Sequence, residues 1–457
     1  MIACPGCGAN LLFDIASQQM KCSYCETSYD PYQFDSMQKD ATREKKYNAW
    51  VYSCPSCGAR LMTTDETDAA AFCPYCGGTS ILFDRLRKVK YPSWIIPFQV
   101  DRNRCRREYR KAARRAIFTP SRYKKAEMVD GFRAIYMPFW SYAVEQKGEA
   151  RVDVESSTSR DGDYLVTEQY TIKGDVDIAY DGFTHDASKA FDDEISECLA
   201  PFDTKDRKPF TPGFLSGFYV DVADERSSKY ADDAKRYFEN LTAEKLLEDD
   251  EVNRAAKETH AHTVGITGVS VPTKVTRIDQ VLYPVWFMSY REGDRITYAS
   301  VNGQTGKVVA DFPISPLRFL LASLGTALLV FAALSLFFTL KPEAALLLTS
   351  LLLIIGVLMC RRQSKRLSER YNDEEAAARR AAFIRSQKTA TVLTVLALIV
   401  SGLVLLTDPV YNAVFYGVCI AEAVILFALI DKAFRLQMQL ATRKPPQFNK
   451  KGGQDHA

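Results

Sequence analysis

Residues 4–25 read CPGCGANLLFDIASQQMKCSYC, and residues 54–76 read CPSCGARLMTTDETDAAAFCPYC. Each stretch carries two Cys-x-x-Cys pairs, separated by 14 residues in the first and by 15 in the second. Two thiolates in one tight turn can bind a single ion, and a hairpin brings the second pair round to complete a tetrahedron. The spacing therefore predicts two zinc ribbons. The predicted ligands are Cys4, Cys7, Cys22 and Cys25 in the first ribbon, and Cys54, Cys57, Cys73 and Cys76 in the second.

All eight predicted ligands are cysteines, so each site is closed to a substrate water and is structural rather than catalytic. Modules this small bury little apolar surface, and we expect two structural Zn²⁺ ions to supply much of their folding free energy. The chain start lacks the pattern of a signal peptide, which predicts reduced thiols in the cytoplasm rather than a disulfide framework. Ordinary packing is the expected role of the remaining cysteines, which are Cys105, Cys198, Cys360 and Cys419.

The middle of the chain, residues 85–312, reads as a cytoplasmic α+β domain with an antiparallel sheet. A basic segment starting at Asp101 places Cys105, Tyr109, Ala112 and Ala116 at helical spacing. Asn302-Gly303 lies between two β-rich runs and predicts a hairpin. Residues 136–142 (YMPFWSY) recur loosely as residues 283–290 (YPVWFMSY), either because the sheet is duplicated or pseudo-symmetric or by chance.

Four apolar runs follow residue 313 and predict a four-helix transmembrane region made of two hairpins. The connector between the hairpins, residues 361–388, carries nine Lys/Arg and is expected to be helical, and the tail after Ile430 carries six. The two short outer links together carry one, Lys341. Positive charge favours the cytoplasmic side, so the sequence predicts a multi-pass cell-membrane protein with both termini in the cytoplasm.

The overall prediction is a multidomain α+β protein. Its predicted segments are zinc ribbon 1 (1–33), a linker (34–53) containing a short helix, zinc ribbon 2 (54–84), the α+β domain (85–312), transmembrane hairpin 1 (313–360), the basic connector (361–388), transmembrane hairpin 2 (389–430) and a disordered tail (431–457).

Several other features of the sequence are candidate functional sites. Residues 85–125 are strongly basic and contain aromatic residues, which suits nucleic acid, a membrane surface or the acidic segments of the same domain. Glu422 lies within an apolar run and is either functional or an interhelix hydrogen-bonding group. Residues 303–307 fail the phosphate-loop spacing, and His260 and His262 lack a third ligand. The sequence predicts neither a catalytic residue nor an enzyme; the formal net charge of only +3 argues against a protein dominated by nucleic-acid binding.

The Cys-Pro-x-Cys-Gly knuckles, residues 135–142 (IYMPFWSY) and residues 301–313 (VNGQTGKVVADFP) together resemble bacterial membrane-anchored zinc-ribbon proteins of the transcription-factor-IIB type. The resemblance implies an adaptor or scaffold that recruits cytoplasmic protein partners to the lipid bilayer. Some similar proteins are linked to phage-shock-type and SPFH-domain proteins of the envelope stress response. The alternatives are a membrane-tethered nucleic-acid-binding regulator and a transport or channel component.

Overall fold

A computed structural model describes residues 2–34, 46–64, 73–78, 82–125, 130–156, 159–161, 164–167, 169–191, 193–248, 263–292, 295–337, 341–370, 374–407 and 409–441. Strands and helices both contribute over this range, which confirms the mixed α+β class. The strands are β1 (Leu11–Asp14), β2 (Gln19–Cys22), β3 (Ser28–Tyr29), β4 (Lys46–Ser53), β5 (Arg60–Thr63), β6 (Leu82–Lys90), β7 (Trp94–Ile95), β8 (Arg133–Ser156), β9 (Ser159–Asp161), β10 (Tyr164–Val166), β11 (Gln169–Asp186), β12 (Lys208–Pro209), β13 (Tyr219–Asp221), β14 (Thr263–Ser270), β15 (Thr273–Glu292), β16 (Arg295–Asn302) and β17 (Val308–Ala310). The helices are α1 (Arg102–Arg115), α2 (Asp193–Leu199), α3 (Ala231–Glu248), α4 (Pro316–Phe337), α5 (Pro342–Arg370), α6 (Glu374–Thr407) and α7 (Asn412–Ala441).

One large sheet organises the part of the chain that precedes the apolar helices. Its centre is the antiparallel pair of β8 and β15, and β8 also pairs with β11 and β14. The first half of β8 is buried on both faces, whereas from Val144 to Val154 buried residues alternate with exposed, mostly charged ones. Helix α3 covers the apolar side of this second half, where Ala243 packs with Val152 and Val154. The alternation shows that both faces of the sheet are buried along the first half of β8 and only one face along the second half.

The two similar aromatic segments lie on neighbouring strands. Pro138 on β8 stands opposite Leu282, and Pro284 on β15 stands opposite Tyr136. Proline cannot donate to a ladder and belongs where pairing is interrupted. Each of these prolines lies where its strand changes partner, and each carbonyl accepts from a neighbouring segment: Ala187 N–H at 2.8 Å for Pro138, and Gly303 N–H at 2.8 Å for Pro284. The two segments thus have matching local roles about the β8/β15 pair.

The predicted hairpin and basic helix are both present. Strands β16 and β17 pair antiparallel with Val301 opposite Val308. A Cβ at Gly303 would lie 2.7 Å from Phe98 and Pro284, so only glycine fits this turn. Asp101 caps α1 by accepting from Arg104 N–H at 2.6 Å. The buried stripe of α1 is Cys105, Tyr109 and Ala113, while the predicted Ala112 and Ala116 are half-buried.

Two predicted boundaries were wrong. The linker expected to run to residue 53 ends earlier, because residues 46–53 form β4, whose Tyr47, Ala49 and Val51 are buried. The tail expected to be disordered from residue 431 continues α7 to Ala441, in a segment rich in good helix formers. The helical connector is confirmed over most of its length by α5 and α6. Residues 35–45 of the linker, which include most of the predicted helix, lie outside the described residues. The last residues of that predicted helix belong to β4 instead.

Four apolar helices close the chain. Within the described residues, two stretches are long and apolar enough to cross a membrane, Pro342–Met359 of α5 and Asn412–Asp431 of α7. The apolar stretches of the other two helices, Pro316–Gly325 and Thr391–Thr407, are shorter. Length and composition therefore support two spans where the sequence predicted four. Helices α5, α6 and α7 pack against one another around Leu353, Ala397 and Leu429.

Candidate metal centres

The first ribbon brings Cys4, Cys7, Cys22 and Cys25 into one cluster. The Sγ atoms of Cys4 and Cys25 are 3.6 Å apart, and those of Cys7 and Cys22 are 3.4 Å apart. Sulfurs about 2.3 Å from a central zinc stand roughly 3.8 Å from one another in a tetrahedron. The distances therefore suit a four-thiolate ion. Cys4 and Cys22 are buried, but Cys7 and Cys25 are exposed.

The second ribbon has the same arrangement with all four cysteines buried. The Cys54 and Cys76 sulfurs are 3.6 Å apart, and the Cys57 and Cys73 sulfurs are 3.7 Å apart. Both four-cysteine groups predicted from the sequence can thus bind a metal ion, and zinc fits their all-sulfur donor set.

The knuckles share one backbone design. In three of them the residue after the second cysteine is a glycine with positive φ: Gly8 at 75°, Gly58 at 80° and Gly77 at 66°. Each of these glycines donates its N–H to the carbonyl of the first cysteine, at 2.7–2.9 Å. Glu26 occupies the same place in the fourth knuckle with a φ of 59°. Lack of a Cβ makes this conformation easy for glycine and costly for glutamate.

Hydrogen bonds and burial shift the pKa values of the cysteine thiols in both clusters. The Tyr29 hydroxyl lowers the pKa of the Cys4 thiol to about 6. Within the second ribbon, hydrogen bonds from Cys57 and Cys73 lower the pKa of Cys76 to about 2. Hydrogen bonds with Cys57 and Cys76, together with burial, raise the pKa of Cys73. Zinc binds the thiolate form of cysteine, so a divalent ion must displace any protons that the cysteines of each cluster carry.

The first ribbon is docked on the large domain through one edge. The Phe13 ring packs edge-to-face on Phe214 at 5.2 Å, and the backbone N–H of Phe13 donates to Ser216 O at 3.1 Å. A Cβ on Gly213 would lie 2.7 Å from the carbonyl oxygen of Pro31, so this contact needs a glycine. Gln18 Nε2 also donates to Phe98 O at 2.7 Å. The module keeps its own three-stranded sheet of β1, β2 and β3.

The second ribbon is part of the large sheet rather than a module beside it. Strand β5 pairs with β4 and with β13, and β13 runs parallel to β8. Within its second knuckle, Tyr75 is completely buried and donates to Asp221 Oδ2 at 2.7 Å. Ser188 Oγ donates to the same oxygen. Burial raises the pKa of Asp221 to about 6, against the opposing effect of these hydrogen bonds.

Glu422 joins three of the apolar helices. Its Oε1 accepts from Ser350 Oγ of α5 at 2.6 Å and from Ser401 Oγ of α6 at 2.7 Å. The side chain is buried. This is the interhelix hydrogen-bonding arrangement that was one of the two interpretations of this residue.

Among the described residues, the other sequence candidates are not brought into a catalytic arrangement. The segment 303–307 forms the tight turn between β16 and β17, in which Gly306 N–H donates to Asn302 O at 2.9 Å. His260 and His262 lie outside the described residues. Cys105 is buried in the apolar core, as expected for packing. The exposed arginines of α1 form the basic face of residues 85–125.

A third cluster was missed by sequence reasoning. His185, Asp186 and Asp193 place one ligand atom each within 4.8 Å of one another. Burial and the neighbouring Asp193 raise the pKa of Asp186 to about 9. A histidine next to an aspartate, with a further acid seven residues on, matches none of the familiar metal motifs. The only signal in the sequence was the density of acids after His185.

Comparison with known proteins gives one relative but no function. The chain is 28% identical over 329 residues to a protein of Bacillus subtilis (strain 168) described as "Uncharacterized protein YdjG", and the match covers 68% of this chain and 89% of that protein. No family model matches the chain, and no solved structure matches it. The function must therefore be argued from the sites themselves.

Proposed function

We propose that this protein is a membrane-anchored zinc-ribbon adaptor, a scaffold that displays protein-binding surfaces in the cytoplasm. The observation that carries the proposal is the unequal placement of two closed four-cysteine centres. One stabilises the large sheet from within, and the other holds a small module at the surface.

The closed centres favour binding over catalysis. Four thiolates fill the tetrahedron of a zinc ion and leave no position for a substrate or an activated water. We therefore assign no reaction to either ribbon. Their contribution is rigidity, since metal binding supplies folding free energy to segments with little core of their own.

The surface offered by the first ribbon includes an unusually exposed aromatic ring. Tyr24, between the ligands Cys22 and Cys25, is 81% exposed. Aromatic side chains held rigidly at a surface are frequent anchors in protein interfaces. The neighbouring Lys21 and Glu26 pair at 3.8 Å and supply a polar rim. We propose this ribbon tip, residues 21–26, as the partner-binding surface.

The anchor is the helical region at the carboxyl end. In the proposal, α5 and α7 cross the membrane, and the apolar stretches of α4 and α6 complete two hairpins. The nine Lys/Arg of residues 361–388 and the six after Ile430 keep these segments and both termini in the cytoplasm. The resemblance to zinc-ribbon proteins of the transcription-factor-IIB type supports such an adaptor, with phage-shock-type or SPFH-domain proteins as candidate partners.

The basic helix α1 lies beside the start of this anchor. Ser315 N–H donates to Phe118 O at 2.9 Å, and the Phe118 and Phe319 rings pack edge-to-face at 5.4 Å. Arg318 Nη1 donates to Thr119 O at 2.7 Å. A basic helix at this position is near the head groups, where each Lys or Arg contributes about 1 kcal/mol of attraction to anionic lipid. This placement favours lipid over nucleic acid as the partner of α1.

The test is co-purification of partners from native membranes with Tyr24→Ala. We expect the variant to insert normally, retain its zinc and lose the partners, because the change removes an exposed side chain without touching a ligand. Tyr237→Ala is the matched control, since Tyr237 is also an exposed tyrosine, on α3. An unchanged set of partners in Tyr24→Ala would contradict the assignment of the ribbon tip.

A second measurement tests the role of the ribbon as a whole. Deleting residues 1–34 removes only the surface module, whereas a deletion to residue 84 would also remove β4 to β6 from the large sheet. We expect the shorter deletion to abolish co-purification while membrane insertion persists. Partners that survive this deletion would overturn the adaptor proposal.

A further inference from the structure

The third cluster lies where a long strand meets a short helix. His185 and Asp186 end β11, and Asp193 begins α2. His185 Nδ1 is 3.7 Å from Asp186 Oδ1, and the imidazole stacks on the Tyr230 ring with centroids 3.4 Å apart. One imidazole and two carboxyl groups therefore face one another at distances that a single bound ion would span.

Asp186 is the buried carboxylate of this cluster. Asp186 is 1% exposed, and neither of its carboxylate oxygens accepts a hydrogen bond from a described donor group. The closest acid, Asp193, offers only acceptors when it is ionised. Burying an ionised carboxylate without a partner costs far more than burying a paired one, so such groups usually neutralise by taking up a proton or bind a cation. The geometry leaves this carboxylate directed at the other two ligand atoms.

Lys229, a cation that acts on Asp186, is already engaged. Lys229 Nζ lies 3.3 Å from Glu225 Oε1 and 4.7 Å from the centre of the Tyr230 ring. Asp221 adds electrostatic repulsion on Asp186, whereas Asp224 is ion-paired with Arg60 at 3.7 Å. A divalent ion would balance the negative charge of the two carboxylates, Asp186 and Asp193.

The backbone holds the ligands in place. Ala187 N–H donates to Pro138 O at 2.8 Å, and Ala187 O accepts from the N–H groups of Asp224 and Glu225, both at 3.0 Å. Ser188 is fixed by its bond to Asp221. Ligands on a segment restrained from both sides need little reorganisation when an ion binds.

We propose that His185, Asp186 and Asp193 form a binding site for a divalent metal ion of the Mn²⁺ class, distinct from the two zinc ribbons. Two carboxylates and one imidazole are the donors of a hard to borderline ion that keeps water in its remaining positions. Asp193 is exposed and provides the route of entry. The four-thiolate ribbons, when filled with zinc, do not compete for such an ion.

The test is an Mn²⁺ titration of the full-length, zinc-loaded protein in detergent, followed by the loss of the EPR signal of free Mn²⁺. We expect one Mn²⁺ per chain, and binding at least about tenfold weaker in Asp186→Asn and Asp193→Asn, because even outer-sphere changes weaken metal sites by that factor. Asp175→Asn is the matched control, since Asp175 is an exposed residue of the same strand. His185→Phe keeps a ring on Tyr230 and should remove nitrogen coupling from the bound Mn²⁺ spectrum.

Thermal unfolding provides a second measurement, because an ion that binds only the folded protein raises its Tm. Saturating Mn²⁺ should raise the Tm of the unaltered protein and of Asp175→Asn but not that of Asp186→Asn, while metal-free Asp186→Asn should be at least as stable as the unaltered chain. The proposal is overturned if the protein binds no Mn²⁺ at concentrations up to about 1 mM. Equal binding by Asp186→Asn, with its fold intact, would also overturn it.

Discussion

The two ribbons share a knuckle plan but differ in what surrounds it. Tyr24 and Tyr75 occupy the same position between their cysteine ligands, yet Tyr24 is 81% exposed and Tyr75 is 0% exposed. The first ribbon has a separate small sheet, whereas the second adds its strands to the large one. The comparison shows that a metal knuckle fixes local backbone geometry and leaves the side-chain environment to the rest of the fold.

The largest difference should follow removal of one ligand. Cys73→Ser leaves three buried thiols without an ion and removes the metal crosslink that holds the segment from β4 to β6 together. We therefore expect a loss of several kcal/mol of unfolding free energy or a failure to fold. Cys25→Ser disrupts an exposed site in a module docked by one edge. It should lose one zinc and leave the Tm of the main unfolding transition nearly unchanged.

Zinc analysis together with thermal unfolding of the two variants measures this difference. Comparable destabilisation by both would show that the ribbons contribute equally to the fold, contrary to the structure.

The equivalent tyrosines allow the comparison at a single oxygen atom. Tyr75→Phe removes the hydroxyl that donates to buried Asp221 at 2.7 Å, and we expect a loss of about 1–3 kcal/mol in unfolding free energy. Tyr24→Phe removes an exposed hydroxyl and should change stability by less than about 0.5 kcal/mol. Denaturant unfolding measures both, and equal effects would refute the unequal environments.

Asp221 should make the second ribbon's surroundings sensitive to pH. Its pKa is raised to about 6 in the folded state, from roughly 3.9 in an unfolded chain. Protonation is thus favoured by folding, and the stability it contributes is greatest below pH 4 and is lost as the pH rises through 6. Between pH 5 and 7.5 the unaltered protein should lose about 1 kcal/mol relative to Asp221→Asn. Denaturant midpoints with zinc present measure this difference; a constant gap would contradict it.

The smallest expected effect concerns the fourth knuckle of the first ribbon. Glu26→Gly relieves a positive φ and should stabilise this ribbon by up to about 1 kcal/mol. The ion pair lost with Lys21 is exposed and contributes little. Glu26→Ala, which keeps the strain and also loses the pair, is the control. Zinc-competition titration measures the gain, and equal affinities for the two variants would contradict it.

The sequence predicted those features that depend on nearby residues. The cysteine spacing gave both metal clusters, Asn302-Gly303 gave the hairpin, and the helical spacing of Cys105 and Tyr109 gave α1. Features that depend on distant partners were missed. The second ribbon joins the large sheet through β13, some 160 residues further along, which no local pattern reveals. The same holds for Glu422, whose serine partners lie on two other helices.

The missed strand and the missed cluster have separate causes. Residues 46–53 carry an alternating pattern, with Tyr47, Ala49 and Val51 buried, but they follow a strongly charged segment that suggested a helix. His185, Asp186 and Asp193 meet across the junction between β11 and α2, and their spacing matches no ligand motif.

The junction between Phe118 and the start of α4 has a mechanical consequence. Only five residues, 311–315, separate β17 from α4, and Ser315 is hydrogen-bonded back to the loop after α1. The short, hydrogen-bonded connection therefore restricts rotation of the sheet relative to α4. Under the proposed function, a partner bound at the ribbon tip would be held at a fixed height and angle relative to the membrane, and lengthening 311–315 should release that constraint without altering either metal centre.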